Sequence, residues 1–203
     1  MHDKGVGLIW SPRSNIALYD ETTDVRAGKE NGVTIALAPD WSPTGSDGML
    51  EEMKYAAAWN MGQVPPVFTD QEFVQMVTIY PAKLAKLDDR IGSLVANHFA
   101  DLVVIQSDET DPYRALISAD PAQVRVVIID GKPVYGDENV MQSMEPAGKF
   151  EQIDVCGRTK YLNLESETSS NGKTPNWQNT VRRLELELRK FGLSLAELAP
   201  CPK

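Results

Sequence analysis

Two short, unbroken apolar runs stand near the start of this chain. Residues 6–10 (VGLIW) and 33–38 (VTIALA) have strand length and are bounded by glycine or by Pro39-Asp40. Continuous runs of that kind mark strands buried on both faces. Between them, Thr22-Thr23-Asp24-Val25 offers a helix start and Asn31-Gly32 a stop. Strand, helix of about ten residues, strand is a βαβ-type unit, which implies a parallel sheet.

The segment 41–48 is crowded with Ser, Pro, Gly and Asp and reads as a loop. The pattern then predicts a helix over residues 49–61, with Met49, Met53 and Ala56 on one face. Thr69-Asp70-Gln71-Glu72 is a capping box. The helix it opens carries Phe73, Val74, Met76, Val77 and Tyr80, and Pro81 suits the first turn of another short helix ending near Leu87.

Beyond Asp88-Asp89-Arg90 the alternation of strand and helix gives way to a small β module. Residues 100–105 and 124–129 are rich in β-branched side chains, and Asp130-Gly131 before residues 132–135 signals a tight hairpin. A short helix is expected over 112–119. Residues 141–170 read as irregular. From Thr174-Pro175 a long helix is expected to run to Lys190 and close at Gly192. Trp177, Val181, Leu184, Leu188 and Phe191 form one apolar stripe along it, which reads as a packing surface.

The pattern divides the 203 residues into a βα segment at 1–87, a β module at 88–140 and a carboxyl-terminal extension at 141–203. Charge follows that division. Residues 1–140 hold 21 acidic against 11 basic residues, a balance of −10, while residues 141–203 hold 8 against 9, or +1. A formal net charge of −9 excludes a generic nucleic-acid binder, which needs excess Lys and Arg for the phosphates. No signal segment and no run of about 20 apolar residues is visible, so no membrane partner is expected. Cys156 and Cys201 stand far apart with no CxxC or Cys/His cluster, which argues against a disulfide framework or a zinc knuckle. A soluble chain in the reducing cytoplasm is the expectation.

The sharpest candidate for chemistry is Asp40, placed after the second apolar strand. In parallel β/α structures functional groups collect at the carboxyl ends of strands. A carboxylate there can bind a divalent metal or act as a general base. The same position suits a cap on the following turn, and position alone leaves both open. Ser11-Pro12-Arg13-Ser14-Asn15 follows the first strand on the same edge. Arg13 could contact an anion or carbonyl, with Ser14 and Asn15 as hydrogen-bond partners. A polar loop with a capped turn is the plainer reading. His2 and His98 lack metal-ligand spacing.

Three ordered segments carry a resemblance: Trp10-Ser11-Pro12-Arg13-Ser14-Asn15-Ile16-Ala17-Leu18-Tyr19, Gly32-Val33-Thr34-Ile35-Ala36-Leu37-Ala38-Pro39-Asp40, and Thr78-Ile79-Tyr80-Pro81-Ala82-Lys83. Together they resemble the carboxyl-terminal half of the metal-dependent amidohydrolase superfamily, and its deaminase and chlorohydrolase-like branch above all. Ile91-Gly92-Ser93-Leu94, Ala100-Asp101-Leu102-Val103-Val104 and the 126–135 hairpin resemble the β-sandwich return of that family. The resemblance covers roughly residues 5–137.

The resemblance implies an α/β fold: the last two βα units of a TIM-type (β/α)8 barrel, strands seven and eight, then part of a small β-sandwich and a C-terminal helix. It also implies a hydrolase of C–N bonds acting on a small molecule, with a divalent metal, zinc foremost. Asp40 would be metal ligand and proton shuttle, while Arg13, Ser14, Asn15, Trp41 and Ser42 would shape substrate binding. The family's His-x-His pair and further histidines are absent here, and a full barrel takes about 250 residues. The chain is therefore expected to be inactive alone, as a piece of a longer enzyme or half of a split one. Its expected partner is the missing amino-terminal barrel portion, a second copy, or both. The alternative is a non-catalytic truncated module that assembles through exposed barrel edges.

Overall fold

The computed structural model describes residues 1–164 and 176–195. They fall into two compact units, Met1–Ala100 with Ser107–Asp120, and Asp101–Gln106 with Pro121–Lys203. The division differs from the boundaries read from the sequence. Residues 88–100 and 107–120 belong to the first unit, and the segment after residue 140 adds strands to the second.

In the first unit, β1 (Leu8–Trp10) and β2 (Ile35–Leu37) pair in parallel, with Leu8, Ile9 and Trp10 beside Ile35, Ala36 and Leu37. Both strands are shorter than their apolar runs. Two helices join them. The first, α1 (Pro12–Tyr19), begins on a proline and ends at Asp20 in the left-handed region. It occupies what the sequence offered as a polar loop, although proline in the first turn is a recognised helix start. The second, α2 (Val25–Glu30), starts where expected, with the Asp24 carboxylate accepting from the Ala27 N–H at 3.0 Å.

Then come α3 (Met49–Met61), α4 (Asp70–Met76), α5 (Ile79–Ala85) and α6 (Pro112–Ser118). The capping box of α4 forms in both directions between Thr69 and Glu72. Burial alone would raise the Glu72 pKa, but hydrogen bonds from Lys29 and Thr69, with the Lys29 charge, hold it below the usual value. The core is built around Trp10, which lies edge-on to Trp59 at 5.1 Å and tilted on Phe68 at 5.9 Å. Val25, Ile35, Leu37, Met53, Phe73, Met76 and Ile117 close around these rings. Asn60 is buried with them: its Oδ1 accepts the N–H groups of Val67 and Phe68, and its Nδ2 donates to the Phe68 carbonyl. One amide thus satisfies a buried backbone turn that would otherwise be costly.

The second unit is a five-stranded antiparallel sheet. Its strands β3 (Leu102–Ile105), β4 (Val124–Ile129), β5 (Lys132–Gly136), β6 (Glu151–Val155) and β7 (Arg158–Leu162) lie in the order β3-β4-β5-β7-β6. Asp130 and Gly131 both have positive φ, the conformation a tight primed turn requires between β4 and β5. Gly136 lets β5 approach β4, since a Cβ there would sit 2.4 Å from the Arg125 carbonyl oxygen.

A helix, α7 (Glu138–Met144), and the β6–β7 hairpin occupy the stretch read from sequence as irregular. Lys160 on β7 points inward, almost wholly buried, and donates to the Val124 carbonyl at 2.7 Å and to Asp137 Oδ1 at 2.5 Å. Cys156, in the hairpin turn, is disulfide-bonded, against the expectation from cysteine spacing. The last helix, α8 (Trp177–Arg189), is capped by Asn176; the Thr174-Pro175 start lies outside the described residues. Trp177 packs on Ile153 and Val155, while Leu184 and Phe191 of the stripe are exposed. No helix among the described residues is long and apolar enough to cross a membrane.

Tyr135 gives this unit an alkaline limit. Burial, with the Asp137 charge adding to it, pushes the phenol pKa up to about 12, and its hydroxyl donates to the Pro121 carbonyl at 3.0 Å. An unfolded chain releases that proton near pH 10, so the folded state holds it more tightly. The resulting stability is present below about pH 10 and is lost as pH rises towards about 12. Denaturant midpoints measured across this window are expected to fall more steeply in the wild type than in Tyr135→Phe. Parallel curves would contradict the assignment.

Candidate active site

The parallel pairing of β1 and β2 puts the residues that follow them on one sheet edge. Ser11, after β1, donates its hydroxyl to the Ala38 carbonyl at 2.7 Å, and the Ala38 N–H donates to the Trp10 carbonyl at 3.1 Å. These bonds extend the pairing beyond the strands and hold the two loops together. Ser14, in the first turn of α1, is buried and donates to Asp40 Oδ2 at 3.2 Å; its oxygen also lies 3.1 Å from Thr44 Oγ1.

Asp40 itself is exposed. Among the described residues no backbone N–H donates to its carboxylate, so it is not the cap of its own loop. That turn closes on the Trp41 carbonyl, which accepts the N–H groups of Thr44 and Gly45. Gly45 is buried against it, and a Cβ there would lie 3.1 Å from Trp41 O and 3.3 Å from Asp40 N. Any larger residue would press on the backbone that carries Asp40.

The remaining residues singled out from sequence divide by environment. Asn15 Oδ1 accepts from the Thr22 hydroxyl at 3.2 Å, and that hydroxyl accepts from Trp10 Nε1 at 2.7 Å. Asn15 is thereby tied to the core tryptophan. The Arg13 guanidinium forms an ion pair with Glu51. Trp41 is 66% exposed and Ser42 is exposed beside it. Ser14, Asn15 and Arg13 are thus engaged by protein groups, while Asp40, Trp41 and Ser42 face outward.

Thr22, Thr44, Glu51 and Glu52 also belong to this neighbourhood and escaped the sequence reading. Glu52 left one sign there: it falls on the helical stripe of Met53, Ala56, Ala57 and Asn60 that α3 buries. Among the described residues no three His, Cys, Asp or Glu side chains come together to hold a metal ion. A zinc site takes three or four protein ligands. The described residues do not complete such a site by themselves.

Comparison with known proteins gives this geometry a lineage. A 5-methylthioadenosine/S-adenosylhomocysteine deaminase of Acetivibrio thermocellus is 30% identical over 168 residues, taking in 78% of this chain and 39% of the relative. A 5′-deoxyadenosine deaminase of Methanosarcina mazei is 28% identical over 151 residues, or 70% of this chain and 34% of the relative. A zinc-bound adenosine deaminase from Xanthomonas campestris superposes with a TM-score of 0.59 at 25% identity, over 65% of this chain and 32% of that one. Guanine deaminase of E. coli shares the fold with the same TM-score at 19% identity, over 67% and 35%. The chain spans between about a third and two fifths of the proteins it matches. The amidohydrolase family model matches residues 2–134, a stretch that takes in β1, β2 and Asp40 and amounts to more than half of the sequence: this chain belongs to the amidohydrolase family.

Proposed function

We propose that this chain forms the last two βα units of the (β/α)8 barrel of a C–N hydrolase, with β1 and β2 as its seventh and eighth strands. The observation that carries the reading is the Ser14–Asp40 bond, which joins the carboxyl ends of the two strands, the edge where barrel enzymes do their chemistry. Asp40 is the acid–base group. Its carboxylate is open to solvent on one side and steadied by the Ser14 hydroxyl on the other, so it can take a proton from attacking water and return it to the leaving nitrogen. Trp41 offers an exposed aromatic face and Ser42 a hydroxyl to the substrate. Ser14 and Asn15 orient the inner wall, and Arg13, through Glu51, holds that wall in place.

Asp40 would also be one ligand of a divalent cation whose other ligands lie outside this sequence, on the remaining barrel strands. That cation, zinc foremost, would supply Lewis-acid activation of water. The substrate class we assign is a 6-aminopurine nucleoside, on the strength of the deaminases that resemble this chain.

The test uses the protein that contains this chain, with its barrel complete. Metal analysis is expected to find about one zinc-like ion per active site. Ammonia release is expected from 5′-methylthioadenosine, S-adenosylhomocysteine or 5′-deoxyadenosine. A rival reading rests on the two-stranded sheet, whose outer edges have no partner strand among the described residues. Such edges fit a non-catalytic module that pairs with another chain. A stable oligomer with neither metal nor turnover would decide for the rival.

A further inference from the structure

Glu52 is wholly buried in the first turn of α3. A carboxylate so placed is costly unless it is hydrogen-bonded. Its Oε1 accepts the backbone N–H of Arg13 at 3.2 Å, while Oε2 is buried with no hydrogen-bond partner among the described residues. Arg13 is the second residue of α1, and the N–H groups of a first turn have no partner within their own helix. Ser11, at the N-cap, does not cap them with its side chain; its hydroxyl goes to the Ala38 carbonyl. Glu52 therefore caps α1 from another helix, with the negative charge that a helix N-terminus favours. The next residue is Ser14, whose hydroxyl donates to Asp40.

We propose that Glu52 is a positioning residue for Asp40: by accepting the Arg13 N–H it pins the first turn of α1 and so keeps the Ser14 hydroxyl on the carboxylate. Its catalytic consequence rests on the reading of Asp40 given above. Glu51 works alongside it on different atoms, pairing with the Arg13 guanidinium and accepting the Asp47 N–H at 2.8 Å. Two adjacent acids in one helical turn thus join both loops that follow the strands.

Three substitutions separate this role from general packing. Glu52→Met fills similar space without an acceptor, Glu52→Gln retains an amide oxygen for the Arg13 N–H, and Ser14→Ala removes the hydroxyl. In the complete enzyme Glu52→Met is expected to lower kcat about tenfold with KM within about twofold. Ser14→Ala is expected to do the same, and the double variant to lose no more than either single. Glu52→Gln is expected to recover most of the turnover. Amide hydrogen exchange at Arg13, which needs no activity, is expected to quicken about tenfold in Glu52→Met and stay slow in Glu52→Gln.

Unchanged Arg13 exchange in Glu52→Met overturns the proposal, whether or not the enzyme is active. So do additive losses in the double variant, or a wild-type kcat in Ser14→Ala, a change that removes no buried charge. Fast exchange in Glu52→Met beside an inactive wild-type enzyme would uphold the positioning of α1 and sink the catalytic reading of Asp40.

Discussion

Asp40→Asn is expected to lower kcat of the complete enzyme by about 10³-fold, within the range that a positioned acid–base group contributes. The substitution is nearly isosteric. The Asn carbonyl oxygen can still accept the Ser14 hydroxyl, so the link between the loops after β1 and β2 survives. What disappears is the capacity to take up a proton, together with the negative charge a cation would use. Asp40 is exposed and its carboxylate accepts no backbone N–H among the described residues, so the fold should hardly register the change; surface substitutions of this kind stay within about 0.5 kcal/mol. Turnover, thermal midpoint and metal content measured on one preparation check all three points. Unimpaired turnover in a folded Asn variant would remove Asp40 from the mechanism.

The parts of this molecule that sequence reveals are those set by near neighbours. The helix α3 runs over the residues its periodicity marks, the Thr69–Glu72 box closes as its spacing requires, and Asp130-Gly131 makes the turn its φ angles demand. The place of Asp40 was legible for a related reason, since a residue that follows a buried parallel strand falls at the sheet's carboxyl edge.

What stayed hidden depends on distant partners. Ile117 of α6 packs into the core around Trp10, far away in sequence, and nothing local to residues 112–118 announces it. The β6–β7 hairpin was missed because an inward position on β7 is a lysine, which breaks the apolar alternation until its partners are known. Glu51 and Glu52 stand in the first turn of α3, and their bonds to Arg13 span 38 and 39 positions along the chain. The helix α1 is a different case. Its Ser-Pro start is visible in the sequence, but a polar run after a strand suits a pocket wall or a loop as readily as the first turn of a helix.

The largest stability effect is expected in the second unit, from Asp137→Ala, at about 3–5 kcal/mol. Lys160 is 2% exposed, and its ammonium is held by the Val124 carbonyl and by Asp137. Removing the carboxylate leaves a nearly buried positive charge with one neutral acceptor, the Val124 carbonyl, among the described residues. The opposite deletion is gentler. Asp137 also pairs with Arg125 and is about a quarter exposed, so in Lys160→Met it remains neutralised while an unbranched apolar chain fills the vacated space. That variant is expected to cost about 1 kcal/mol, in line with volume-conserving core changes. The asymmetry is the point of the measurement, because a simple pairwise bond would make the two losses equal. Urea midpoints for the two variants, with slopes compared to confirm similar unfolding, decide it. Equal losses, or a larger one in Lys160→Met, would mean that the stranded ammonium is not what sets the cost.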